Sequence, residues 1–580
     1  VVLVAAAQTP DTATVQGRIQ DQTRSGIADV RVVVKNAQTQ LERSAITGAD
    51  GGFTVAGLPA GPEYRIIAAH DGFAEGRSAA LTLAGGATVA VTLILTVAPG
   101  QTEMNVTGVP GEVRTDEPQL GVRLDARQME ATPLLNRRIT WLPLLNAANH
   151  PAISQGDVFM NQTLFTTNGA GRRQAWFEVD GATGNDSWGR QTIFSTVPLA
   201  AVEEMAVLTN AFSAEFGGST GSVVNVVTRS GGNRLHGELL ELWRPSATAA
   251  ALAGFNASTA TSGNQLTSDT LGQTSAALSG PLGASGRTHF FTAAEYSRQD
   301  RSSPITSPIA PGPYVGHYRG WLGLLRLDHQ INANHNAFLR ANLDGFHDTN
   351  PNGIVGGNSL PTVARVFRRR TYSIEAGETA ALSPTLINNV RLQFQLASPI
   401  TQFDPVVYGT QYQVPVSTGG TFTTGPSQSA LLQNRQYQVS DTLSAIRGAH
   451  QLKFGGSMIR AHNGGNSKEF GGPLLLGQFI YNTCTQPLSV CEGAAYLGNL
   501  ANVRSYTQSY GNANYTVDDT LWALFVQDDY KVRQDLTVNL GLRYEQQTFT
   551  DARKNFAPRV GFAYNWRGDG VTVLRGGYGV

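Results

Sequence analysis

The sequence predicts a mainly β protein in three parts: a small N-terminal sandwich, a mixed α+β segment and a long antiparallel sheet built for lipid contact. Three observations predict it. Apolar and polar residues alternate with period two through much of the second half. Charged residues are only 15% and glycine is 64 of 580, against about 25% and ~7% in an average soluble domain. No apolar run reaches the ~18 residues of a membrane-crossing helix, so a membrane would have to be crossed by a closed set of strands. A chain of 580 residues makes about four ordinary domains, unless one is a large barrel. Lys plus Arg and Asp plus Glu balance at 43 each, which excludes a nucleic-acid binder held by bulk charge. A hydrophobic content of 41% excludes a mainly disordered chain.

Residues 1–7, Val-Val-Leu-Val-Ala-Ala-Ala, predict the end of an export signal. Ala5, Ala6 and Ala7 form the small-residue cleavage site. Residues 12–97 hold short β-rich runs, TVQGRI, VRVVVKN, GGFTVAGL, YRIIAAH and ATVAVTLILTV, separated by turn clusters. That spacing predicts a small sandwich. The pieces GRIQD, SGIADVRVVV, TGADGGFTVAGLPAGPEYRI and GFAEG resemble the carboxypeptidase-regulatory-like domain, a transthyretin-type sandwich. Gly48, where that family usually has Asp, and Pro62-Glu63 in the turn before Tyr64 depart from it, both in turns. No peptidase is implied. A zinc carboxypeptidase needs a His-x-x-Glu pair, and no His here has Glu three positions on. His329 and His335 lie off metal-helix spacing.

Residues 98–111 form a Pro/Gly-bearing linker around Glu103, Met104, Asn105, Val106, Thr107 and Gly108. An extended stretch with no partner of its own suits addition to another protein's sheet edge. It is similar to the TonB box of TonB-dependent receptors.

Residues 112–232 mix short helices and strands. Leu134-Leu135-Asn136-Arg137-Arg138 leads into an apolar, helical stretch through Trp141, Leu142 and Leu145. Two longer stretches follow, NGAGRRQAWFEVDGATGND from Asn168 and VPLAAVEEMAVLTNAFSAEFGGSTGSVVNVVTRSGGNRLHGEL from Val197. They resemble the plug domain of TonB-dependent receptors with an Oar-like barrel. The motif residues carried over are Asn168, Gly169, Arg172, Asp180, Gly181, Glu203, Glu215, Gly217, Asn225 and Thr228. Gly217, Gly218 and Gly221 permit tight turns, and Val223, Val224, Val226 and Val227 make a buried strand. Arg172, Arg173, Glu203 and Glu204 are expected to face outward into a hydrated lumen. The loop at Gly169–Gly171 lacks the Gly-Lys-Ser/Thr ending of a phosphate loop, so no nucleotide is expected.

Residues 233–580 read as hairpins. Leu339, Ala341 and Leu343 alternate with Arg340, Asn342 and Asp344. Leu536, Val538, Leu540, Leu542 and Tyr544 alternate with Thr537, Asn539, Gly541, Arg543 and Glu545, and Val560, Phe562, Tyr564 and Trp566 alternate likewise. A lipid-facing barrel with a wet lumen requires one apolar and one polar face. Short turns such as Arg567–Gly570 belong to the periplasmic side, and the long connections around 399–433 and 463–518 to the outside. FVQDDYKVRQDLTVNLGLRYE and NFAPRVGFAYNWRGDGVTVLRGGYG resemble strands of the same receptors. About 14 strands are expected, against about 22 in a whole barrel of that kind. The barrel is therefore expected to be incomplete here, the sequence being read as a fragment.

No catalytic constellation, metal cluster or cofactor motif is present. Of Asp528 and Asp529, one is expected to face the lumen and the other to end a strand. Cys484 and Cys491, in an outer loop, suit a local disulfide worth roughly 2.5 kcal/mol on the chain-entropy estimate. The resemblance implies an outer-membrane transporter in contact with outer-membrane lipid. Its substrate would be a ferric siderophore, cobalamin, a glycan or a peptide. TonB, with ExbB and ExbD, would pull on the box. The alternative is a passive outer-membrane adhesin or carbohydrate-binding protein.

Overall fold

The structure, a computed structural model, describes residues 12–97, 102–104, 119–134, 137–152, 165–171, 174–186, 193–210, 213–246, 261–262, 265–266, 269–350, 354–403, 410–417, 420–425, 430–465, 477–508, 510, 514–567 and 572–580. The export-signal residues, Asn105–Gly108, Arg172 and Arg173 lie outside them.

The first unit stacks two sheets. Thr12–Gln20 is central in one, antiparallel to Gly52–Pro59 and parallel to Thr88–Ile94. The other runs Glu42–Ile46, Arg31–Asn36, Gly61–Ala69, Gly76–Ser78, with Leu81–Leu83 also on Gly61–Ala69. Val32 and Val34 are buried while Arg31 is exposed, the alternation of a half-buried strand. With Val15, Ile19, Phe53, Leu58, Ile66 and Leu93 they make the core. The Tyr64 hydroxyl donates to the Pro59 carbonyl at 2.8 Å, spanning the turn that Pro62-Glu63 enlarges.

The sheet has one further member. Thr102–Met104 lies parallel to Gly76–Ser78, with Glu103 opposite Arg77. The start of the candidate TonB box therefore has a partner, contrary to the sequence reading. The sandwich leaves an open edge, and only residues 98–101 separate it from the strand that fills it.

The second unit is a five-stranded sheet, in order Leu120–Asp125, Val202–Asn210, Val223–Thr228, Trp176–Val179, Ala182–Thr183. Val223–Thr228 is buried throughout, as its four valines favour. Asp125 starts the helix Ala126–Ala131 with a capping box: its carboxylate accepts the Gln128 N–H at 2.7 Å, and the Gln128 side chain accepts the Asp125 N–H at 3.0 Å. Ile139–Leu145, expected as an ordinary helix, is a 3₁₀ helix with Pro143 inside it. Proline removes a donor and shortens such a turn.

The third unit is a 15-stranded antiparallel sheet. Thirteen strands follow one another along its main path, from His236–Arg244 to Val573–Gly579. This is one fewer than expected, and the two terminal strands have no second wall neighbour among the described residues. Burial is inverted relative to a soluble sheet. Arg340, Asn342 and Asp344 are buried while Leu339 is exposed. Leu540 and Leu542 are exposed and Arg543 is buried. The longest strands, Gly312–Gln330, Arg365–Ser383 and Tyr515–Arg533, have 19 residues each. At ~3.3 Å per residue they outreach a bilayer.

The two ends of the wall differ. At one end the turns are short, and the sandwich sits there: Ala56 packs against Ala381, Ile387 and Ile446, and the Asn233 N–H donates to the Gln38 carbonyl at 2.7 Å. At the other end the long connections fold into a cap rather than loose polar loops. Four strands pair in the order Thr421–Thr424, Gln411–Pro415, Gln478–Tyr481, Val503–Thr507. They cover a core of Ile305, Val355, Val414, Phe422 and Tyr481, together with the disulfide Cys484–Cys491.

Candidate functional site

The site is the seam between the second unit and the inward face of the wall. Its centre is the hairpin joining Trp176–Val179 to Ala182–Thr183. Asp180 and Gly181 both have positive φ, +53° and +90°, which a two-residue turn of this hand requires. The turn points the Asp180 carboxylate inward, 1% exposed. One oxygen accepts the Thr228 N–H and the other the Thr228 hydroxyl, both at 2.8 Å. Arg326 approaches one oxygen at 3.2 Å and Arg340 the other at 3.3 Å. Burial works to raise the Asp180 carboxyl. Arg326, Arg340 and the two Thr228 hydrogen bonds outweigh it and hold the group below the usual carboxylate range.

The wall answers from four consecutive strands. Arg326 is also forked onto Asp328 at 2.9–3.1 Å. Arg340 pairs with Glu375, and Arg391 donates to the Asp180 carbonyl at 3.2 Å. Nearby, Asp344 accepts both the Thr196 N–H at 3.1 Å and its hydroxyl at 2.7 Å, and is paired with Arg369 at 2.6 Å. Gln438 accepts the Thr183 N–H at 2.9 Å. The inward polar positions are thus the sockets of the second unit, and burial leaves them few alternatives.

A second contact lies at the Ala-Glu-Phe-Gly turn. Lys453 pairs with Glu215 at 2.9 Å. Arg543 donates to the Ala214 and Glu215 carbonyls at 3.2 and 3.0 Å, and Arg559 to the Phe216 carbonyl at 2.8 Å. A β-carbon on Gly217 would fall 1.9 Å from a Glu545 carboxylate oxygen and 2.2 Å from Arg543 Nε, so a larger residue would push these two side chains off the turn. Beneath it, burial pushes the Glu178 carboxyl up to about 7, against a hydrogen bond from the Trp176 indole at 2.9 Å.

The remaining sequence candidates are spread out. Asn168 (φ +49°) and Gly169 form a turn in which the Asn168 amide donates to Asn210 at 2.7 Å. Asn225 is buried in the central strand. Glu203 is half-buried, 3.8 Å from Arg229, and burial raises its carboxyl. Glu204 is buried, which corrects the outward placement expected for it. It accepts the Gly85 N–H of the sandwich at 2.8 Å and pairs with Arg123 at 2.9 Å, while Arg123 donates to the Gly85 carbonyl at 2.6 Å. The sandwich loop supplies a partner that the sequence of the second unit does not reveal. Asp529 points inward to Gln527 and Asn539, and Asp528 outward to His450 at 2.8 Å. Among the described residues no group of His, Cys, Asp and Glu could hold a metal ion. Arg340 and Asp344 stand in the sequence only as the polar face of an alternating strand, and Arg369 carries no motif. Their signal was a charge at an inward position of an alternating strand.

The comparisons with known proteins fit this geometry. The family described as "Carboxypeptidase regulatory-like domain" matches residues 14–96, and "Outer membrane beta barrel domain" matches 313–554. Over 247 residues the chain is 26% identical to the TonB-dependent transporter Oar of Myxococcus xanthus, covering 42% of this chain and 23% of that protein. Among solved structures, the outer-membrane transporter YddB of Escherichia coli is similar at a TM-score of 0.57 and 13% identity, over 79% of this chain and 60% of that one. The siderophore receptor PirA of Acinetobacter baumannii is similar at 0.52 and 14%, over 79% and 60%. The chain spans less than two thirds of each of these relatives. At such identities the structures speak for the fold alone: a large antiparallel sheet of the outer-membrane barrel kind.

Proposed function

We infer, from a chain of the Gram-negative outer membrane that is homologous to the transporter Oar, that it belongs to a TonB-dependent importer of an extracellular substrate. The observation that carries this reading is the seam itself. A folded unit that plugs the wall through discrete buried ion pairs, Asp180 with Arg326 and Arg340 and Glu215 with Lys453, beside apolar contacts on Phe291, Leu324 and Ile459, can be released without unfolding the wall. Substrate binds at the cap and at the outer side of the plug. TonB, powered through ExbB and ExbD, adds a strand to the segment Glu103–Gly108 and pulls. The chain itself catalyses nothing.

The pairing of Thr102–Met104 with the sandwich edge adds a step. TonB competes with that edge for the same backbone groups. Deleting residues 103–108 is expected to abolish uptake while leaving surface binding of substrate intact. Uptake that persists in the deletion, or that survives collapse of the proton gradient, would overturn the reading in favour of passive binding.

A further inference from the structure

One arginine of the sandwich has no part in the transport reading. Arg43 lies on Glu42–Ile46, on the same face as the core residue Ala45, and is 7% exposed. Its Nη1 meets only the Ala56 carbonyl, at 3.4 Å. Its Nε and Nη2 are sealed from solvent and reach no acceptor among the described residues. Burial pulls the guanidinium down to about 10.

The seal is the wall. A β-carbon placed on Gly57 would stand 2.9 Å from Ile387 Cδ1 and 3.1 Å from Arg43 Nη1, so the guanidinium and the wall's isoleucine converge on one spot. Ile387 packs there with Ala56, Ala381 and Ile446. Arg43 and Ala56 together front the wall turns at 330–334 and 381–384. Off the wall, the long arginine stem can carry its head into water. On the wall it cannot, and a charge held dry without a counter-ion is strongly unfavourable. Arg43 therefore opposes the docking that Ala56 favours.

What the docked sandwich covers is the seam. A cavity of about 110 Å³ is lined by Asn36 and Tyr64 of the sandwich, Asp180 and Thr228 of the second unit, and Arg326 and Asp328 of the wall. The sandwich thus forms one side of a chamber that opens onto the Asp180 ion pairs. Those pairs hold firmly because they are dry. Where water reaches them their attraction falls, and each charge is hydrated as the pair parts.

We propose that the sandwich is a removable cover: Arg43 keeps it loosely docked, and its departure lets water onto Asp180, Arg326 and Arg340 and so frees the second unit from the wall. The proposal needs only the docking and the seam, and holds whether or not the chain imports anything.

Hydrogen exchange of the full chain in outer-membrane vesicles tests both halves. The Thr228 amide, bonded to Asp180 at 2.8 Å, reports the seam. The Val32 and Val34 amides, on the strand between Glu42–Ile46 and Gly61–Ala69, report whether the sandwich is folded. Arg43→Met keeps the stem and deletes the stranded donors, so Thr228 should exchange about tenfold more slowly. Ala56→Lys sets a second cation against Ala381 and Ile387, so Thr228 should exchange about tenfold faster while Val32 and Val34 stay protected. Equal or faster exchange at Thr228 in Arg43→Met would overturn the proposal. If Ala56→Lys unfolds the sandwich instead, Val32 and Val34 lose protection, the cover is gone, and Thr228 must still exchange faster. Unchanged exchange at Thr228 in Ala56→Lys, with the sandwich folded or not, would equally overturn it.

Discussion

Asp180 takes both hydrogen-bond donors of Thr228, the backbone N–H on one oxygen and the hydroxyl on the other, at 2.8 Å each. That double contact ties the second unit's hairpin to its central strand at the point where Arg326 and Arg340 arrive from the wall.

Asp180→Asn keeps the shape and removes the charge. It leaves two buried guanidinium groups facing a neutral amide, a change that costs about 3–5 kcal/mol when one partner of a buried pair is lost. Hydrogen exchange of the Trp176–Val179 amides should accelerate by a hundredfold or more. Thr228→Val removes only the hydroxyl and should cost about 1.5–3 kcal/mol. Unchanged exchange in both variants would show that the seam does not hold the hairpin.

Glu178 makes the seat of the second unit pH-dependent. Its carboxyl is raised to about 7 from an ordinary 4.5, first of all by burial. The neutral form is therefore favoured in the folded state. Stability is fully present below the unfolded value, and is lost as pH rises through the window from 4.5 to 7. Denaturation followed across that window should show a slope that Glu178→Gln abolishes.

Glu204→Ala frees the Gly85 N–H and removes the carboxylate paired with Arg123. The contact between the sandwich and the second unit should weaken by about 1–3 kcal/mol. Limited proteolysis between residues 97 and 119 should speed up, with the wall as resistant as before. An unchanged cleavage rate would mean that the docking is carried by Ala56 and its apolar neighbours.

Replacing Cys484 and Cys491 by Ser should loosen the cap by ~2.5 kcal/mol without disturbing the wall. Both cysteines are buried against Tyr481 and Val414, so the loss should appear as cleavage near Leu488–Leu497. Mass spectrometry of the non-reduced loop peptide tests the bond directly.

The wall was legible because its pattern is local. Leu339 through Asp344 shows which side chains face lipid from six residues alone. The Asp180 contacts were not legible, because Arg340 lies 160 residues further on and its own strand says only that it points inward. Glu204 was misread for a related reason: a charged residue in an apolar run reads as exposed unless its distant partner, Gly85, is known. The cap sheet was hidden differently. Its strands have four or five residues each, and Gln411–Pro415 pairs in parallel with Gln478–Tyr481 across a long intervening stretch that leaves no periodic trace.

The inverted burial of the wall also decides which of its positions are free to drift. Lipid flows around any apolar shape, so Leu339 can become Val, Ile or Phe with little penalty, and the outward face carries few instructions beyond being oily. Inside, Asn342 reaches both Ser195 and Ser373, and a leucine there would take a hydrogen-bond partner from two buried hydroxyls. In a soluble protein the apolar interior holds the chain to its sequence and the polar exterior is forgiving. Here the roles are exchanged, and the stretches most resistant to change are the hydrophilic ones.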